Sequence, residues 1–207
     1  MNNESTKERI LSEALKLFSK NGYDAVSVEQ IATAVGIKAP SLYNHFKSKQ
    51  AIFNAITNET AMRYNNFTSS LSVHLQNAPQ DQAVFNNITA DALFEKVSKI
   101  FIYSLHDETL SNFRKMMTIE QFRSPELSKL YTERFVDKMV NYHAELFKVL
   151  IENGVLKTAD ANALALMYVS PVLTLISICD RQPEKEEESL KILKNHVQLF
   201  YKTYNNQ

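Results

Sequence analysis

Residues 28–49 read VEQIATAVGIKAPSLYNHFKSK, and the fold is decided by how they divide. Val28, Ile31, Ala32 and Val35 recur at i, i+3, i+4 and i+7, one face of a helix about two turns long. Ser27 precedes it with Gln30 three positions on, a capping box that satisfies backbone groups at the helix start. Gly36 stops that helix. Pro40 opens another, because its fixed φ suits a first helical turn and its missing N–H is not needed there. Leu42 and Phe46, four apart, turn inward and leave Ser41, Tyr43 and Asn44 directions toward the outside. Two short helices with small Ala32 at their crossing, and Gly36 in a turn with no room for bulk, make a helix-turn-helix. The second helix of such a motif presents its N-terminal residues to the major groove of duplex DNA.

The charge pattern agrees. The chain has 207 residues, 23 basic and 23 acidic, so its overall charge selects no partner. Between Gly36 and Gln50, however, stand Lys38, Lys47 and Lys49 with no acid. A local excess is enough to attract phosphate. Upstream, Ser5 and Glu8 form a capping box for a helix carrying Ile10, Leu11, Ala14, Leu15 and Phe18 on one face, with a left-handed Gly22 as its stop.

Residues 10–53, ILSEALKLFSKNGYDAVSVEQIATAVGIKAPSLYNHFKSKQAIF, resemble the DNA-binding domain of the TetR/AcrR family of bacterial transcription regulators. The matching features are LFxxxGY, SVxxIAxAVGI and LYxHFxSKxxI in one register. The resemblance implies an all-α fold with an N-terminal three-helix DNA-binding domain and a larger C-terminal bundle for ligand binding and dimerisation. It implies base-edge contacts from Lys38, Ala39, Pro40 and Ser41, with Asn44 also on the DNA-facing side. It implies phosphate contacts from Ser27, Tyr43, His45 and Lys49. One departure is visible: the family has Ser or Thr after the GI pair, and this chain has Lys38, which cannot cap a helix.

Three glycines and five prolines in 207 residues leave few hairpin turns or glycine-rich phosphate loops, and the remainder reads as helix. Domains are expected at 1–48 and 49–207, joined by a long helix over 49–76 that starts at Ser48 and runs until Pro79 approaches. A loop over 76–86 and helices near 86–106, 108–123, 125–153, 160–180 and 184–204 complete the reading. Ala161 to Cys179 carries no charge, but Asn162, Ser170, Pro171, Thr174 and Ser177 interrupt it and no basic cluster flanks it. A core or subunit-interface helix is expected, not a membrane span. With the last helix it should form a homodimer interface as a four-helix bundle.

Nothing in the chain points to an enzyme. The single cysteine, Cys179, excludes an internal disulfide or a cysteine-cluster metal site, and no HExxH or GxSxG occurs. No metal or cofactor is expected. No secretory signal opens the sequence, so a reducing cytoplasm is the expected compartment. Phe67, Tyr103, Phe113, Met117, Tyr142, Phe147 and Tyr168 could line an apolar cavity for a small apolar or amphipathic ligand, with His143 and Thr174 as polar anchors. The resemblance then implies a ligand-responsive repressor that binds a palindromic double-stranded operator as a homodimer. A helix-turn-helix regulator without a small ligand, whose bundle serves dimerisation or protein docking, is the alternative.

Overall fold

The computed structural model describes residues 5–206. Among them the chain is all-α; its one β-type pairing is an isolated bridge between Leu156 and Asn205. Packing divides it into two compact units. The first takes the described chain up to Tyr64 together with Asp107–Tyr131; the second takes Asn65–His106 and the described chain from Thr132 onward. Division by packing therefore differs from a cut at residue 48.

In the first unit, α1 (Thr6–Asn21), α2 (Val28–Val35) and α3 (Ala39–His45) precede α4 (Lys49–Ser70), whose residues through Tyr64 belong here. Ile10, Ala14, Phe18, Ile31, Ala32, Leu42, Ile52 and Ile56 are buried, the apolar faces the periodicity requires. Ser5 and Ser27 each form the reciprocal capping box. Later in the chain, α7 (Glu108–Glu120) returns to pack on α1, burying Phe113, Met116 and Met117. α8 (Pro125–Thr132) follows it.

The two glycines at the ends of α1 and α2 are needed for different reasons. Gly36 (φ +78) closes α2 as a left-handed cap, with its own N–H bonded to Thr33 O and the Ile37 N–H to Ala32 O. A Cβ there would meet nothing within 4 Å, so backbone conformation, not lack of space, requires glycine. Gly22 (φ +84, ψ 158) is not a left-handed helical cap. It lies in a region open essentially to glycine, and a Cβ would come within 2.6 Å of Glu120 Oε1.

The second unit holds the rest of α4, the short α5 (Gln82–Phe85), α6 (Ala90–His106), α9 (Lys138–Glu152), α10 (Ala161–Arg181) and α11 (Glu186–Tyr204). α4 stops at Ser70, not near residue 76. Ser72 takes φ 57, its N–H bonds Ser69 O, and the Val73 N–H bonds Thr68 O. This is the closure glycine usually makes, so the sequence gives little warning of it. The segment after it is no plain loop: Ala78–Asp81 forms a 3₁₀ turn and Asp81 is buried. Asp81 accepts the His74 N–H at 2.6 Å and the Tyr142 hydroxyl at 2.5 Å, which ties the segment to α9. A π-helical turn over Glu133–Asp137 leads into α9, so helix 125–153 is not uniformly α.

Within this unit α10 packs on α9, α6 and α11. It is long and apolar enough to cross a membrane by length and composition. In the fold it divides lengthwise. Leu164, Ala165, Tyr168, Val169, Leu175 and Cys179 face the core, while Leu166 and Met167 remain 55% and 54% exposed.

Candidate nucleic-acid interface

Interior packing sets the direction of α3. Leu42 is 0% exposed and Phe46 6%, so the helix is pinned by the side that carries them. Tyr43, at 42% exposure, Asn44 and His45 are turned out with Lys38 and Pro40; Ala39 and Ser41 are half-exposed. Lys38 makes no capping bond at the start of α3, and Pro40 occupies the first turn. The Lys38 and Lys47 ammonium groups have no hydrogen bond or ion pair among the described residues, and both side chains are exposed.

Ser27 is exposed at the start of α2. Its oxygen accepts the Gln30 N–H at 3.2 Å. Beside it Glu29 keeps its charge. A bond from its own backbone N–H and one from Ser27 hold its carboxyl below the usual range. That charge suits the positive end of a helix and limits how close phosphate comes.

Lys49 is a correction. Its ammonium donates to Tyr23 O at 2.9 Å, Val26 O at 3.0 Å and Asp24 O at 3.4 Å, and lies 4.4 Å from the centre of the Tyr23 ring. Those three bonds use all the donors an ammonium has. In this structure the group is bound to the turn between α1 and α2. Two neighbours escaped the sequence reading. Arg9 donates to Val35 O and so ties α1 to the end of α2. Lys7 stands 5.6 Å from the Phe46 ring, which places another exposed cation beside α3.

The residues expected to line a cavity do not form one group. Phe113 and Met117 are core residues of the first unit. Phe67 and Tyr103 stack at 3.7 Å in the second. Tyr142, His143, Phe147 and Tyr168 do meet there, joined by His196 and Phe200, which the sequence reading did not include. The His143 ring lies 5.1, 5.2 and 5.7 Å from those of Tyr142, Tyr168 and Phe147. Burial pushes its pKa down to about 4, and Nδ1 sits 2.7 Å from Met139 O. Imidazole is therefore neutral at pH 7, with hydrogen on Nδ1 and Nε2 left as an acceptor. Burial also pushes the Tyr168 hydroxyl up, and burial with the Asp81 contact does the same to Tyr142. Thr174 is corrected: it is exposed, and its hydroxyl bonds back to Ser170 O within α10.

Comparison with known proteins adds an independent line. Residues 10–56 match the family profile described as bacterial regulatory proteins, tetR family. The biofilm operon icaADBC HTH-type negative transcriptional regulator IcaR of Staphylococcus aureus is 26% identical over 168 residues, 74% of this chain and 84% of that protein. A TetR-family regulator structure from Mesorhizobium loti superposes with a TM-score of 0.70 at 20% identity, over 97% of this chain and 96% of that one. The SmeT–triclosan complex superposes with a TM-score of 0.68 at 19% identity, over 98% and 92%. SmeT is described as the repressor of the Stenotrophomonas maltophilia efflux pump SmeDEF. An all-α fold, an outward-facing α3 and a profile match over the helix-turn-helix converge: residues 10–56 match the tetR family of bacterial regulatory proteins, and the chain resembles DNA-binding regulators of that family in sequence and fold.

Proposed function

We propose that this chain is a ligand-responsive repressor, a cytoplasmic homodimer that sets two heads on the half-sites of an approximately palindromic operator. The observation that carries the DNA part is the outward face of α3, where Lys38, Pro40, Tyr43, Asn44 and His45 are exposed above buried Leu42 and Phe46. Lys38, Ala39, Pro40 and Ser41 read base edges; Ser27, Tyr43 and His45 hold phosphates. Lys47 replaces Lys49 in the phosphate set.

The dimer reading is supported by apolar side chains left bare on α10 and α11. Leu166 and Met167 stand out beside Ser170 and Thr174, and Ile192 and Leu199 make a stripe with Asn195. Leu193 is fully buried in its own unit, so α11 would pair through the opposite stripe. Repression follows the description of IcaR as a negative regulator. Ligand response is supported by the fold shared with the SmeT–triclosan complex and by the aromatic group around His143. A neutral imidazole acceptor among aromatic rings suits an apolar molecule with one hydroxyl or amide donor. α4 has residues in both units, so a ligand that shifts its second half changes the setting of the head. A coupling of about 1–3 kcal/mol would change operator occupancy 5–150-fold.

The test is selection of DNA fragments by the purified protein, followed by titration of the selected fragment. Enrichment of an inverted repeat bound by one dimer supports the reading. Equal binding to every fragment at all salt concentrations counts against it.

A further inference from the structure

The carboxylate of Glu120 is 0% exposed at the end of α7, beside the turn that leads out of α1. Its Oε1 accepts the Tyr23 N–H at 2.9 Å and one Arg123 N–H at 3.1 Å. Its Oε2 is buried with no hydrogen-bond partner among the described residues. An unsatisfied buried carboxylate oxygen is costly, and a short uncharged residue would avoid the cost. Glycine stands at position 22, where a Cβ would come within 2.6 Å of Oε1, the oxygen that holds the Tyr23 N–H. The contact joins residues 97 apart in the sequence.

The contact falls on the turn that aims the helix-turn-helix. Tyr23 packs between Phe18 and Phe53, with ring centres at 5.2 and 5.1 Å, and its hydroxyl bonds Gln50. The carbonyls of residues 23, 24 and 26 hold the Lys49 ammonium. Ser27, the cap of α2, comes next. One face of this turn is thus fixed by α4 through Lys49 and the other by α7 through Glu120.

We infer that Glu120 is a positioning residue for DNA binding: by holding the Tyr23 amide it fixes the setting of α2 and α3 against α7. The helix that carries it follows directly after α6, the last element before the chain enters the first unit. Glu120 itself touches no DNA. It acts through the turn, and it rests on the operator-binding reading above.

The experiment compares Glu120→Ala and Glu120→Gln with the unchanged protein on one selected operator, each corrected for its folded dimer fraction. The alanine variant removes the acceptor and should bind roughly tenfold more weakly, the scale of one lost bond to a charged group. Its plot of log affinity against log salt should keep the same slope, because no phosphate contact is lost. The glutamine variant keeps an oxygen for the Tyr23 N–H and should recover most of the affinity. Corrected affinities equal to wild type, with only a lowered melting temperature, would overturn the proposal. So would a changed salt slope. Hydrogen exchange in the unchanged protein covers the case of an alanine variant that does not fold: the Tyr23 amide should exchange more slowly on operator than free, and indifference to DNA overturns the inference. Failure of the wild-type protein to bind any DNA is a different result and sinks the operator reading instead.

Discussion

The head and the bundle distribute polar and apolar groups in opposite ways. In the head, the interior between α1, α2 and α3 is apolar and the polar side chains of α3 face out. In the bundle, Asp81, Tyr142, His143 and Tyr168 gather inside, while Leu166, Met167, Ile192 and Leu199 stand bare. A surface is shaped by what it meets. The head suits a hydrated polyanion. The bundle suits apolar partners, which on the proposed function are a second copy of α10 and α11 and a small molecule near His143.

The largest effect is expected on the bare face of the bundle. Leu166→Glu combined with Leu199→Glu places like charges against their symmetry mates and leaves the buried core untouched. Sedimentation should report a monomer, and operator affinity should fall by roughly 100-fold or more as the two-site advantage is lost. A dimer of unchanged size carrying both substitutions would show that this face meets something else.

The polar interior of the bundle predicts a dependence on pH. His143 has a folded pKa lowered to about 4 against about 6.5 unfolded. Between those values the unfolded chain binds more protons than the folded one, so stability falls as pH drops from about 6.5 toward 4. Near pH 4 this group alone removes about 3 kcal/mol. Denaturant unfolding from pH 7 to 4 measures it, and His143→Phe should flatten the curve in that window. A variant whose curve matches wild type throughout the window shows that the imidazole does not titrate as its burial demands.

Two lysines two residues apart sharpen the comparison within the head. Lys47→Ala should lower the salt slope by about 1 per head and weaken binding to every sequence alike. Lys49→Ala should leave the slope unchanged and cost about 2 kcal/mol of stability, since three carbonyls lose a charged donor. The reversed pattern would return Lys49 to the phosphate set.

These contrasts also mark what a sequence can disclose. Ser27, Gly36 and Pro40 act on backbone within a few residues, so caps, turn and helix start were legible from spacing alone. Lys49 was not, because the carbonyls that hold it lie 23 to 26 residues earlier. Glu120 is further still from Tyr23, and an acid at the end of a helix gives no hint of burial. Thr174 shows a different limit. Periodicity identifies which face of α10 it shares, yet not whether that face is covered by its own unit. The early end of α4 was hidden because Ser72 takes the place glycine usually fills.

The smallest effect separates reading from gripping on α3. Ser41 lies one turn into the recognition helix, half-exposed, with Lys38 before it and buried Leu42 after it. A hydroxyl both donates and accepts, so it can pair with several base edges without the charge that binds phosphate. Removing it as Ser41→Ala should leave affinity for scrambled DNA unchanged. Affinity for the selected operator should fall by about fivefold, the scale of roughly 1 kcal/mol for one base contact. The loss should be confined to one or two base pairs in each half-site and be recovered by changing those pairs. Parallel titrations on the operator, its single-pair variants and a scrambled duplex measure this. An equal loss on all of them would place the Ser41 hydroxyl on the phosphate backbone and shift base reading to Lys38 and the groups exposed beside it.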